Sequence, residues 1–224
     1  GIVITLPDAA ALGKSVKAAI AAGIPVISMN SGSDDYASLG ISVHVGQTEF
    51  EAGVGGGQKM KAAGGKKALC VNHEVGNVAL DRRCAGFKKG FGGTVDILGT
   101  SNDVTEIQKA VAAKLGGGYD TILTLGAGLS GEAALKALEE TGKVGKVKLG
   151  TFDMSPDMLK AAAAGKVEFL IDQQQYLQGY LPIVIFAQYI KWGTMPSGVV
   201  MTGPGFVTPK NASNVIKWAA QGYR

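Results

Sequence analysis

The sequence predicts an α/β protein with parallel sheets covered by helices on both faces, a doubly wound layout. Three observations carry this. Short apolar runs without polar alternation recur along the chain, the pattern of strands buried on both faces. Segments rich in Ala, Lys and Leu at helical spacing separate them. The junctions carry Gly, Asn, Asp and Ser, the residues of tight turns and helix N-caps. Strands alternating with helices imply right-handed crossovers between parallel strands.

Taken in order, "GIVITL" reads as a strand stopped by Pro7-Asp8, followed by the helix "AAALGKSVKAAIAAG" and the strand "IPVISM". After a loop come "ISVHVG" and a glycine-rich helix, "TEFEAGVGGGQKMKAAG". The strand "KKALCVN" leads to the helix "VALDRRCAGFKKGF", and "TVDILGT" to "VTEIQKAVAAKLG". Then follow "YDTILTL", the helix "SGEAALKALEET", "KVKLGTFD", the helix "PDMLKAAAAG", "KVEFLID" and the long apolar segment "YLQGYLPIVIFAQYIKWG".

Composition narrows the function. The 224 residues hold one large or two small domains, and a hydrophobic share of 46% supplies their cores. The net charge of +4 is mild, with lysines scattered rather than interleaved with aromatics, which argues against a nucleic-acid surface. No apolar run reaches the roughly 20 residues that span a bilayer, so no membrane insertion is expected. Cys70 and Cys84 fit no zinc spacing, and His44 and His73 complete none, so no metal site is expected. The two cysteines lie on a strand and the following helix. They read equally as a disulfide of an oxidising compartment or as two buried thiols.

In open parallel sheets ligands bind beyond the carboxyl ends of the strands. The residues there include Asp8, Asn30-Ser31, Asn72-His73-Glu74, Gly126-Ala127-Gly128, Asp153 and Asp172-Gln173. Amides and a few carboxylates suit a polyhydroxylated ligand, since each hydroxyl both donates and accepts. Any one of these residues also serves as an ordinary helix cap. The run Gly126-x-Gly128-x-x-Gly131, with Asp153 further on, matches a dinucleotide-binding fingerprint. It lies behind at least five other strands and lacks a catalytic partner set. A tight turn at a cleft mouth is therefore the preferred reading, and a nicotinamide-dependent enzyme stands as a minor alternative. No cofactor, nucleophile elbow or catalytic carboxylate pair is expected.

Several segments together resemble a known family: "IPVISMNS", "LDRRCAGFKKGF", "YDTILTLGAGLSGEAALKAL", "KVKLGTFDMSPDMLKAAAAGKVEFLIDQQQYLQGY" and "MPSGVVMTGPGFVTPKNA". They are similar to the type I periplasmic sugar-binding proteins of ABC importers. The resemblance implies two Rossmann-like lobes joined by three hinge crossings, with a small sugar or polyol in the cleft and a membrane permease as partner. Lobe one is then 1–45 with 174–200, and lobe two 46–173 with 201–224. The crossings fall near Val45-Gly46, Gln173-Gln174 and Val200-Met201. By the same resemblance Arg83, Asp153 and Gln173 contact the ligand, and Asn72 and His73 add contacts. Asn30-Ser31 stands where many relatives carry Asp-Arg, and Ala127 with its flanking glycines replaces an Asn-Asp pair. The first departure counts against ribose itself, and the second leaves more room or presents backbone N–H groups. The effector domain of a LacI-type regulator shares the fold and is the main rival. The resemblance places the protein in the periplasm or tethered outside the cell. It also matches "GIVITLPD" to the third strand of lobe one, so that lobe is expected to be incomplete and an isolated chain to be weakly stable or to associate.

Overall fold

The computed structural model describes residues 1–224. The elements in chain order are β1 (Ile2–Ile4), α1 (Ala9–Ala21), β2 (Val26–Asn30), β3 (Val43–Gly46), α2 (Glu49–Ala62), β4 (Lys67–Asn72), α3 (Val78–Phe91) and β5 (Thr94–Gly99). They continue with α4 (Val104–Lys114), β6 (Thr121–Thr124), α5 (Glu132–Glu140), β7 (Lys148–Phe152), α6 (Pro156–Ala163) and β8 (Phe169–Asp172). The last are α7 (Gln175–Trp192), β9 (Gly198–Met201), β10 (Gly205–Val207) and α8 (Ala212–Ala219). The chain divides into two compact units, Gly1–Glu49 with Gln173–Gly203, and Phe50–Asp172 with Pro204–Arg224.

Unit one is a four-stranded sheet in the order β1-β2-β3-β9, every pairing parallel. Its strands are apolar without alternation because both faces are covered. On one face Val26 packs with Leu6, Val16, Leu39 and Ile41 under α1. On the other, Ile27, Val43 and Val45 meet Ile185 and Phe186 of α7. β1 is an edge strand, and Ile183 and Ile190 of α7 are exposed.

Unit two is a six-stranded sheet in the order β10-β8-β7-β6-β4-β5. All its pairings are parallel except β10 with β8, which is antiparallel. That one edge pairing departs from the all-parallel reading. After the Thr202-Gly203-Pro204 link β10 starts beside Asp172, at the carboxyl end of β8, and runs back along it, with Gly205 opposite Asp172 and Val207 opposite Leu170. One face buries Leu69, Val71, Ile122 and Leu149 with Ile107, Val111 and Leu138 of α4 and α5. The other buries Leu123, Phe152, Phe169 and Ile171 with Phe87 and Phe91 of α3.

α2 is rich in glycine, which disfavours helix by about 1 kcal/mol per residue relative to Ala. Close packing explains its survival. A Cβ on Gly53 would lie 2.2 Å from the carbonyl oxygen of Arg83, and one on Gly57 would lie 2.4 Å from that of Phe87. Reciprocally, a Cβ on Gly86 would lie 2.0 Å from the carbonyl oxygen of Phe50, and one on Gly90 2.1 Å from that of Val54. The two Gly-xxx-Gly pairs thus bring the α2 and α3 backbones into direct contact. α3 is held a second way. Cys70 of β4 and Cys84 of α3 form a disulfide with Cα atoms 5.9 Å apart, which resolves the two readings of the cysteines.

Candidate ligand-binding groups

Non-glycine residues at positive φ number three, Asn30 (62°), Asp153 (65°) and Gln174 (53°). Each lies where a strand ends and the chain turns toward a helix. Backbone held in this region persists only where its surroundings enforce it, and it concentrates at functional sites. Two of the three are residues the sequence singles out.

In unit one, Asn30 ends β2. Its amide donates to Oε1 of Gln178 at 3.1 Å and, more weakly, to Oε1 of Gln173 at 3.4 Å. Its own Oδ1 accepts from the Ser31 hydroxyl at 3.2 Å. Gln178 in turn donates to the Gln173 carbonyl and the Thr202 hydroxyl, each at 3.2 Å. Gln174 donates to the Thr202 carbonyl at 2.7 Å. The result is a chain of neutral amides around the carboxyl end of β2, the entry to α7 and the exit of β9. Asp8 is placed differently. Its carboxylate is exposed and caps α1 by accepting from the Ala11 amide at 3.0 Å. Sequence reasoning missed Gln178 and Thr202. Gln178 sits one helical turn beyond Gln174, the only signal available.

In unit two, Asn72 ends β4 with both ends of its side chain engaged. Oδ1 accepts from the Glu74 amide at 3.0 Å, and Nδ2 donates to Asp81 of α3 at 2.8 Å. Asn72 therefore orients the loop that presents His73. The His73 ring packs on the Gly126 backbone, and a Cβ there would lie 3.0 Å from Cε1. Its Nδ1 is 3.2 Å from the Ser130 hydroxyl, which also lies 3.1 Å from the Gly126 carbonyl. The hydroxyl has one proton. With that proton on the carbonyl, Nδ1 donates and Nε2 is left as an acceptor. Burial lowers the His73 pKa first. Glu74 and Asp153 pull it up and Arg83 pushes it down, so the imidazole is neutral near pH 7.

Arg83 is buried on α3. It donates to the Leu125 carbonyl at 3.1 Å, and its guanidinium lies 4.4 Å above the Phe152 ring. Those contacts fix the plane of its remaining N–H groups. Asp153 follows Phe152 directly, its amide bonded to the Ile171 carbonyl at 2.9 Å. Ala127 is buried and opens a π-helical turn, Ala127–Gly131, that leads into α5. The glycine motif therefore frames His73, whose imidazole occupies the space beside Gly126 that a side chain there would need. No three His, Cys, Asp or Glu side chains are grouped to hold a metal ion, and no helix is long and apolar enough to cross a membrane.

Comparison with known proteins places these groups in context. A family model described as a periplasmic binding protein domain matches residues 1–194. The xylose/arabinose-binding protein of Sulfolobus acidocaldarius is 27% identical over 231 residues, an alignment that takes in 94% of this chain and 57% of that protein. This chain thus spans under two thirds of that relative's length. A carbohydrate transporter of Acidothermus cellulolyticus, solved with myo-inositol, is 34% identical with a TM-score of 0.93, covering 100% of this chain and 79% of the other. A solute-binding protein of Burkholderia graminis, solved with D-arabinose, is 25% identical with a TM-score of 0.83 over 94% of this chain and 76% of its own.

Proposed function

Since the chain belongs to the periplasmic binding protein domain family, we propose that it is the solute-binding component of an ABC importer and takes a small sugar or polyol. The observation that carries this reading is the pair Asn30 and Asp153, polar residues held at positive φ at strand ends. Around each stand neutral or delocalised hydrogen-bonding groups. A polyol presents adjacent hydroxyls of mixed donor and acceptor character. The Asp153 carboxylate accepts, the Arg83 guanidinium donates from a fixed plane, and the neutral His73 offers Nε2 as an acceptor. The Asn30, Gln173 and Gln178 amides do either. The ligands named for the relatives, myo-inositol and pentoses, share this chemistry.

The reading calls for capture without a chemical step. Its partner is a membrane permease and its compartment the periplasm or the outer surface of the cell, oxidising settings in which the Cys70–Cys84 bridge persists. The crossings near Val45-Gly46, Gln173-Gln174 and Val200-Met201 are then the hinges, and Asn72, Ala127 and Asp8 support the site rather than touch the sugar.

A thermal-shift panel of pentoses, hexoses and inositols tests the proposal, with NAD as the contrasting arm. A ligand at 100 times its dissociation constant stabilises by about 2.7 kcal/mol, well within detection. Stabilisation by a neutral polyol and none by NAD is the expected result. A shift with NAD alone, or with no polyol at millimolar concentration, refutes the function. Unchanged polyol affinity in both Arg83→Ala and Asp153→Ala refutes the site while leaving the ligand class standing.

A further inference from the structure

In a parallel α/β unit every strand starts, and every covering helix ends, at one pole. In unit two that pole is strongly basic. Lys61, Lys88, Lys89 and Lys114 lie in the last turns of α2, α3 and α4. Lys66, Lys67 and Lys148 stand at the starts of β4 and β7. Lys143, Lys146 and Lys166 lie in the turns entering β7 and β8. The groups adjoin one another. A Cβ on Gly92 would lie 3.2 Å from the Lys61 amine, and one on Gly93 would lie 2.8 Å from the Lys66 carbonyl. The Lys66 amide meets the Asp120 carboxylate at 3.0 Å, and Lys148 acts on that same carboxylate.

These ten lysines face five carboxylates, Asp96, Asp120, Glu139, Glu140 and Glu168. The surplus of five exceeds the +4 of the whole chain, so the remainder of the molecule is slightly negative. Helix macrodipoles account for lysines in last turns. They do not account for Lys66, Lys67, Lys146 and Lys148, which lie outside the helices. Of the ten, Lys166 forms an ion pair, with Glu139 at 2.8 Å. Lys67 and Lys143 rest on carbonyls of the turn after α4.

We propose that this pole docks the protein on an anionic lipid bilayer, by attraction between its lysines and the headgroup charges. Every basic residue there is lysine. A compact, hydrated ammonium on a flexible stem suits a diffuse field of surface charge, whereas capture of one phosphate is better served by the planar fork of arginine. One aromatic stands among these lysines, Tyr119, and its ring is already taken by the Lys67 amine at 4.4 Å and its hydroxyl by Asp96, so it offers no free platform for stacking a nucleic-acid base. His73, Arg83 and Asp153 lie at the opposite, carboxyl end of the same strands, so a bilayer at the pole does not cover them.

Vesicle co-sedimentation of the full chain tests this. With about 30 mol% phosphatidylglycerol in phosphatidylcholine at low ionic strength, the expected partition coefficient is at least about tenfold above that for phosphatidylcholine alone, and the excess disappears near 0.5 M salt. Lys61→Glu/Lys88→Glu/Lys89→Glu abolishes the excess. Lys14→Glu/Lys17→Glu, two exposed charges on α1 of unit one, retains most of it. No excess on anionic vesicles, an equal loss in both variants, or binding to a soluble polyanion without binding to vesicles each overturns the proposal.

Discussion

Removing the Cys70–Cys84 bridge by Cys70→Ala/Cys84→Ala separates two roles it could play. The bridge closes a loop of 14 residues, for which the chain-entropy estimate is about 3 kcal/mol of restraint on the unfolded chain. Both sulfurs are buried, so their loss adds a small packing term of the same sign. A unit of this size loses roughly 2–4 °C of melting temperature per kcal/mol, so a fall of about 6–12 °C is expected by calorimetry. The bridge also joins the strand that ends in Asn72 to the helix that carries Arg83. Those two elements are independently held by the Asn72–Asp81 hydrogen bond and by backbone contact between α2 and α3. Sugar affinity well below the melt is therefore expected to change less than about threefold, because an effect on the unfolded state leaves the folded site alone. A melt within about 2 °C of the parent refutes the stability argument, since it corresponds to under 1 kcal/mol. A large loss of affinity with the fold intact refutes the claim that α3 is positioned without the bridge.

Two further outcomes are expected. Gly86→Ala places a Cβ against the Phe50 carbonyl, and overpacking of this kind costs about 1–3 kcal/mol. Gly128→Ala meets open space, so urea unfolding of the pair tests the close approach directly. His44 is buried beside Ser28, its Nδ1 3.0 Å from the hydroxyl, and burial lowers its pKa from 6.5 to about 4. Between those values the unfolded chain binds the proton and the folded one does not. Stability is therefore fully present above pH 6.5 and declines as pH falls toward 4, by roughly 3 kcal/mol over the window. His44→Gln removes that component, so a parent and variant with the same pH slope between 6.5 and 4 contradict it.

The order of strands and helices was legible because each strand buries both faces and each helix one, patterns that survive in sequence. Strand-end positions were legible for the same topological reason, which is how Asn30, His73 and Asp153 were proposed; Arg83, inside α3, came from the family resemblance alone. What the side chains there touch was not. Nothing in a run of glutamines says that Gln178, inside a helix, reaches Asn30 and Thr202. Asp8 was proposed as a ligand group and is seen to cap α1, a role the sequence did not separate from ligand binding because both tasks ask for a carboxylate at the same kind of turn. His44 and Ser28 were unread because a polar pair inside an apolar strand announces burial only once its neighbours are known. The glycines of α2 argue against helix locally, and their reason lies on α3, far along the chain.

Under the proposed function, the contact between α2 and α3 bears on which sugars can be admitted. Where helices meet through side chains, rotamer changes let one helix yield when a larger ligand presses on it. Here the Arg83 carbonyl abuts Gly53 with no side chain between them. α3 has no compressible layer behind it, and the Arg83 guanidinium stands against a rigid stop. If Arg83 meets the sugar as proposed, a ligand one ring substituent too large on that side is expected to be refused rather than accommodated.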